Sequence, residues 1–427
     1  MIPENAFAGL LQLNESWEVV AAEFEAKPIE KFLIGVRETA KLWPTLSCEM
    51  ERCGGKEVVC HDHAEGRRWR HLDAFGRPTE ILCAPPRARC KACGTVWTVR
   101  VPWEGKGKHF TKDFEAFALT LMREMPVKRA GQILGEHDTR LWRMLERHIA
   151  AAYGLLDLSE LVHLGVDEMN LRKGREYLTV FADLVARRVV FATEGKDSAT
   201  FLRFCEELLR HNGHPHAVTH VAMDMSAAYR KGAKETLRNA TITYDPFHVT
   251  ALVSTAVDEV RRLEIREGDE VAQESLKGSL YLFRKNPENL TPLQEERLGE
   301  LDLKTLATGQ AYQVRLELSD IYRRGHSPAK ARERLEAWVN WARAKCERWG
   351  AVMAPLAKAV KTIEQNLEGI LAHWEKELST AFLEGLNSVF SAVKRKARGF
   401  RNTHYMTTML YFVAGKLSLP SYPTHGN

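Results

Sequence analysis

The chain has 427 residues, 44% of them hydrophobic and 27% charged, with a formal net charge of +5. At about 100–200 residues per domain, roughly two to four units are expected, and this composition excludes a disordered or collagen-like chain. No run approaches the ~18 apolar residues of a membrane span, and Met1-Ile2-Pro3-Glu4 opens no basic-then-apolar leader, so a cytoplasmic location without membrane contact is expected.

Residues 17–37 read as two strands, with Trp17, Val19 and Val20 before a turn near Lys27-Pro28 and Phe32, Ile34 and Val36 alternating after it. Most of the eight cysteines then fall within 48–93. In a cytoplasmic chain that clustering favours metal over disulfides. Helical periodicity takes over at 111–150. Phe114, Phe117, Leu121 and Met122 mark one helix. Pro126 opens a second that ends near Gly135, and Asp138 or Thr139 caps a third. Three helices joined by tight turns fit a helix-turn-helix, with Arg140, Arg143 and Arg147 where a recognition helix meets the major groove. Residues 161–245 alternate strands and helices. Strands are expected at 161–166, ending at Asp167-Glu168, and at 177–184, 188–192, 217–223 and 241–244, with a helix at 198–210. From 251 to 396 strand formers are scarce and helix is expected throughout.

Charge is unevenly spread: the first sixty residues are net acidic, while 61–150 and the run Lys394, Arg395, Lys396 and Arg398 are basic. Two separated basic zones suit a polyanion such as nucleic acid.

Two constellations carry chemistry. Cys90-Lys91-Ala92-Cys93-Gly94 is a metal knuckle, in which two thiolates share one tetrahedral ion. Its expected partner is Cys48 with Cys53, a wider half-site than usual, so that Cys48, Cys53, Cys90 and Cys93 are the favoured zinc ligands. Cys60, His61, His63 and Cys83 compete for those positions, while Cys205 and Cys346 read as core residues. The second constellation is acidic. Asp167 and Asp224 each end an apolar strand, where α/β folds collect functional groups. Two such aspartates suit a divalent cation, and a helical carboxylate would complete a two-metal site. Glu384 is a candidate, although spacing alone does not lift it above Glu375 or Glu377.

The order of these motifs resembles a known family. Gly-Val-Asp167-Glu, Met-Asp224-Met-Ser-Ala-Ala-Tyr, Tyr-Asp245-Pro-Phe-His248-Val and Leu-Glu384-Gly-Leu-Asn-Ser succeed one another ahead of Lys-Arg-Lys-Ala-Arg-Gly-Phe-Arg-Asn. With Trp-Arg-His-Leu-Asp, Arg-Ala-Arg-Cys-Lys-Ala-Cys-Gly and the helix-turn-helix upstream, the succession looks like the bacterial insertion-sequence transposases of the ISL-three family.

The resemblance implies an α/β multidomain chain: a β-rich zinc-binding domain (1–105), a helix-turn-helix (106–155), a ribonuclease H-like DDE core (156–250 and 377–411), a helical insertion (251–376) and a tail (412–427). It implies Asp167, Asp224 and Glu384 as the triad holding Mg2+ or Mn2+, with Asp245 and His248 as active-site support and a structural Zn2+ in the N-terminal part. The implied activity is binding of the element's terminal inverted repeats, metal-dependent strand cleavage and strand transfer, by a homodimer or higher oligomer on double-stranded DNA. Water hydrolyses the strand and the freed 3′-hydroxyl attacks target DNA, so no covalent protein–DNA intermediate is expected. The alternatives are a zinc-ribbon and helix-turn-helix regulator, or a catalytically inactive domesticated transposase.

Overall fold

The computed structural model describes residues 4–26, 30–172, 176–324, 327–375 and 402–423, together with 385, 388, 390–392, 394, 395 and 400. The chain forms two compact units, Met1–Leu156 with Ala392–Asn427, and Asp157–Ser391.

The first unit starts with the expected strand pair. β1 (Trp17–Glu25) and β2 (Lys31–Glu38) run antiparallel, and they join β4 (Arg67–Ala74) and β5 (Arg77–Cys83) in a sheet of order β1-β2-β5-β4. Phe32, Ile34 and Val36 of β2 are buried with Trp17, Trp69, Ile81 and Trp103. A second sheet, order β3-β6-β7, holds β3 (Val58–His63), β6 (Pro86–Cys90) and β7 (Val96–Thr98).

The Gly/Lys-rich connector at 103–108 is wrapped around a buried carboxylate. Glu115, 1% exposed, accepts the backbone N–H groups of Lys106 (2.8 Å) and Gly107 (3.2 Å) and pairs with His148 Nε2 at 2.8 Å. Burying that charge costs little only because so many donors meet it. A Cβ at Gly105 would overlap the Glu115 carboxylate, so this position needs glycine.

Three helices follow, Lys112–Glu124, Val127–Leu134 and Asp138–Tyr153. Pro126 and Gly135 bracket the second as expected. The third is capped one residue earlier than Asp138 or Thr139: His137 Nδ1 accepts the Thr139 N–H at 3.2 Å. Asp138 falls inside the first turn, where its charge favours the helix N-terminus. The turn is tight, since a Cβ at Gly131 would lie 2.5 Å from the Glu136 carbonyl oxygen. Arg70 of β4 donates to the Leu134 carbonyl (3.2 Å) and lies over the Phe114 ring (5.1 Å), joining sheet and helices.

Helix Thr403–Ala414 packs on Asp138–Tyr153 through Trp142 stacked on Tyr405 (4.3 Å), Tyr153 beside Tyr411 (4.7 Å) and His404 bonded to Glu146 (3.0 Å). Motif order groups residues up to 411 with the catalytic core, whereas 392–427 cluster here with the N-terminal part.

In the second unit a five-stranded sheet has the order β10-β9-β8-β11-β12, with β8 (His163–Arg172), β9 (Glu176–Asp183), β10 (Arg188–Glu194), β11 (His220–Met223) and β12 (Thr241–Tyr244). β8, β9 and β10 are antiparallel, and β11 and β12 run parallel to β8. β11 is shorter than expected, because Pro215–Ala217 forms a 3-10 turn ahead of it. Helices Ala199–Arg210 and Ala227–Thr236 pack on one face: Phe204 stacks on Phe181 at 4.5 Å, and the Tyr229 hydroxyl meets the Thr179 hydroxyl at 2.8 Å.

From β12 to Glu375 the described residues are mostly helical, as expected, while most of 376–396 lies outside the described residues. Pro246–Glu267, Ala307–Arg323, Pro328–Trp349, Ala354–Gln365 and Leu367–Glu375 are the longer helices described. Glu264 clamps the first two together, accepting the Ala307 and Thr308 N–H groups at 2.7 Å each, a carboxylate at a helix N-terminus. Arg315 donates to Ser254 (3.0 Å) and to the Arg284 (2.9 Å) and Lys285 (3.2 Å) carbonyls.

Candidate functional site

Strand register brings the acids together. Gly165 of β8 is opposite Ala222 of β11, and Ala222 is opposite Thr243 of β12. Two residues further along each strand come Asp167, Asp224 and Asp245. Continued by that step, the register sets all three level on neighbouring parallel strands, which lie ~4.8 Å apart. Side chains two apart share a face. His163 and His220, four residues before Asp167 and Asp224, confirm the shared face with rings 4.7 Å apart. β8 does not end at Asp167 but continues to Arg172, because β9 pairs with it along that length. Asp167 and Asp224 each hold one oxygen against the following backbone N–H, at 2.7 and 2.5 Å. Glu384 and Glu377 lie outside the described residues, and Glu375 is exposed.

Negative charge is concentrated here. Partial loss of solvent raises the Glu168 carboxyl above its usual range; Lys196 opposes this, and Asp224 and Asp167 add to it. Burial likewise raises the Tyr229 phenol, the Thr179 bond opposes, and Glu168, Asp167 and Asp224 contribute. Like charges so close favour protonation or a cation among them. Oxygen donors of this kind fit a hard divalent cation.

Asp245 has a structural task. Its Oδ1 caps helix Pro246–Glu267 by accepting the Phe247 N–H at 2.8 Å, with Pro246 in the first turn. His248 Nδ1 stands 3.7 Å from Asp245 Oδ2. Around them are polar atoms shielded from solvent without a hydrogen-bond partner, namely His248 Nδ1, Thr243 Oγ1, Tyr322 Oη and His373 Nδ1. Burial raises the Tyr322 phenol and lowers His373, and Asp245 acts on both. No local motif marks Tyr322 or His373 in the sequence; helices of the insertion bring them here.

The zinc expectation meets a well-formed cage. The sulfurs of Cys48, Cys53, Cys90 and Cys93 lie within 4.8 Å of one another. Cys48 and Cys93 are 3.6 Å apart, and Cys53 and Cys90 are 3.8 Å apart. A tetrahedral site with Zn–S near 2.3 Å has edges of ~3.8 Å, so the donor set fits zinc. A Cβ at Gly55 would sit 2.9 Å from Cys90 Sγ and 3.3 Å from Cys53 Sγ, inside the cage. The Thr95 hydroxyl and backbone draw the Cys93 thiol down to about 6. Cys60, His63 and Cys83 take no part in this set, and Cys205 and Cys346 are buried.

The arginines on Asp138–Tyr153, Arg140, Arg143 and Arg147, are all exposed. Arg140 is more engaged: it pairs with Glu136 and lies 4.8 Å over the Phe110 ring. Lys394 is half-buried and Arg395 exposed, while Lys396 and Arg398 lie outside the described residues. Among the described residues no helix is long and apolar enough to cross a membrane.

Known families match in the same order as these features. A zinc finger of the transposases IS204/IS1001/IS1096/IS1165 matches residues 51–93, and the helix-turn-helix domain of transposase family ISL3 matches 99–149. The ISL3 DDE transposase domain matches 164–410. The transposase of insertion sequence element IS1001 from Bordetella parapertussis is 29% identical, covering 92% of this chain and 93% of its own. That of IS1557 from Mycobacterium tuberculosis (strain CDC 1551 / Oshkosh) is 26% identical, covering 98% of both. Among solved structures, the Drosophila P element transposase strand transfer complex aligns with a TM-score of 0.37 at 12% identity, covering 73% of this chain and 93% of that one. With the DDE domain matched over more than half its length, and the zinc-finger and helix-turn-helix domains ahead of it, the chain belongs to the ISL3 family of insertion-sequence transposases.

Proposed function

We propose that Asp167, Asp224 and Glu384 are the acids with which this transposase binds Mg2+ (or Mn2+) and cuts and joins DNA at its element's ends. The observation that carries this reading is the level, same-face placement of Asp167 and Asp224 on adjacent parallel strands. A mixed sheet, antiparallel over β8–β10 and parallel over β11 and β12, supports a ribonuclease H-like core. When bound, a pair of divalent cations supplies charge relief at the attacking and leaving oxygens. The chain's own contribution is to set Asp167 and Asp224 level on one face of the sheet. Asp245 and His248 support the site, with Asp245 fixing the start of helix Pro246–Glu267 beside it. No serine or tyrosine nucleophile is required.

DNA recognition is assigned to the first unit. Arg143 and Arg147, with Arg140 braced by Glu136, read base edges at the element's end. Lys394, Arg395, Lys396 and Arg398 bind phosphates, which position DNA without reading it. Cys48, Cys53, Cys90 and Cys93 hold the structural zinc. By motif order the domain limits are 1–105, 106–155, 156–250 with 377–411 for the core, 251–376 for the insertion and 412–427 for the tail, although 392–427 cluster with the N-terminal part. The working form is a homodimer or larger oligomer on DNA, in the cytoplasm.

The test is an in vitro assay with magnesium on element-end duplexes. Asp167→Ala, Asp224→Ala and Glu384→Ala each abolish cleavage and joining while end binding persists. Near-normal activity in any one variant removes that residue from the triad.

A further inference from the structure

We propose that Glu38, Cys60 and His63 form a second zinc site, distinct from the four-cysteine cage, that ties the two sheets of the first unit together. Their donor atoms lie within 4.8 Å of one another. His63 Nε2 already stands 2.7 Å from Glu38 Oε1. Glu38 ends β2 in the four-stranded sheet, while Cys60 and His63 belong to β3 in the three-stranded sheet.

A local irregularity makes the convergence possible. In a regular strand, residues three apart point to opposite faces. β3 carries a register shift between Cys60 and Asp62: Cys60 is opposite Ala88, Asp62 opposite Arg87 and His63 opposite Pro86. Ala88 and Pro86 are two apart on β6, so the bulge at His61 returns Cys60 and His63 to one face. Bulges recur where a strand must re-aim a side chain. Here the re-aimed residues are a thiol and an imidazole, and both meet a carboxylate from another sheet.

The donor set selects the ion. Sulfur and imidazole disfavour magnesium and calcium, and Cys, His and Glu are all ordinary zinc ligands. Three protein ligands leave a fourth tetrahedral position, which water fills at this exposed rim. The site cannot be the other cage by another name. Val58 is opposite Cys90, and His63 lies five residues further along β3, ~16 Å away at ~3.3 Å per residue. His61 and Cys83, which compete for ligand positions in the sequence, are not in the cluster.

The experiment is elemental analysis of the full-length chain, purified in zinc-supplemented buffer and dialysed into metal-free buffer. With one ion per site, wild type is expected to hold about two zinc per chain and the Cys60→Ser, His63→Ala double variant about one. Cobalt loading guards against loss of folding: the double variant keeps the four-thiolate absorption while losing one cobalt per chain. A wild type holding one zinc, or a double variant still holding two, overturns the proposal. The first result would leave His63 and Glu38 an ion pair beside a thiol. Retention of one zinc by wild type with loss of all in Cys90→Ser, Cys93→Ser would also reject the second site while leaving the cage intact.

Discussion

The four-thiol cage and the acidic site gather ligands in opposite ways. The cage is made by short turns: Cys48 and Cys53 lie in one, Cys90 and Cys93 in another, and Gly55 leaves room between them. Backbone bonds close each turn, Cys53 N–H to the Met50 carbonyl and Gly94 N–H to the Cys90 carbonyl at 2.9 Å each, and a metal shared by the four sulfurs would tie one turn to the other. Asp167 and Asp224 instead ride on strands already fixed by β9, β12 and the helices on the opposite face. A site that builds its fold and a site carried by a fold should fail differently when broken.

The largest effect is expected at the cage. Cys90→Ser with Cys93→Ser should remove its zinc and unfold the ribbon locally, since such metal binding contributes on the order of 10 kcal/mol to folding in zinc-finger peptides. Elemental analysis and proteolysis of the N-terminal segment check this; an intact, protease-resistant ribbon would break the comparison. Next come Asp167→Ala and Asp224→Ala, with strand cleavage falling by about 10³-fold or more, roughly 4 kcal/mol of lost transition-state stabilisation. Without metal these variants should melt no lower than wild type, because a like charge has been removed. A clear drop in melting temperature would show that the acids hold the sheet together.

Smaller effects sharpen the contrast within the first unit. Gly131→Ala should destabilise the helix-turn-helix by about 1–3 kcal/mol, as its Cβ meets the Glu136 carbonyl; denaturant titration measures it. Arg143→Ala should relax discrimination between element-end and scrambled duplexes by about 1–3 kcal/mol. Neutralising Lys394, Arg395, Lys396 and Arg398 should weaken both duplexes alike, with the log–log salt slope shallower by ~0.9 for each phosphate no longer neutralised. The smallest effect concerns pH. Burial holds His71 below its ordinary pKa, so the folded chain binds fewer protons there than the unfolded one. Its contribution is complete above the unfolded value of ~6.5 and is lost as pH falls from there through the lower folded value. His71→Gln should flatten that part of the stability profile.

The contrast also explains what is legible in sequence. Cys90-x-x-Cys93, the alternation of β2 and the Pro126 and Gly135 boundaries are local signals that the structure keeps. An apolar run closing on Asp167 suggests a strand end, but β9 overrides that local signal by pairing past it. The connector that becomes a socket for Glu115 is hidden for the same reason: its partner, His148, is 33 residues from Glu115. Tyr322 and His373 depend on how the insertion folds back toward Asp245, which no spacing encodes. The bulge at His61 is invisible as well, since only the register against β6 reveals it.

One packing arrangement has a genetic meaning. Helix Thr403–Ala414 covers Asp138–Tyr153, so a segment 250 residues downstream completes the helix-turn-helix module. A copy truncated by a late stop codon would lose Tyr405 and Tyr411 from that module along with whatever it lost in catalysis. Such a fragment would make a poor competitor for the element's ends, and decaying copies in a genome would not readily become repressors of intact ones.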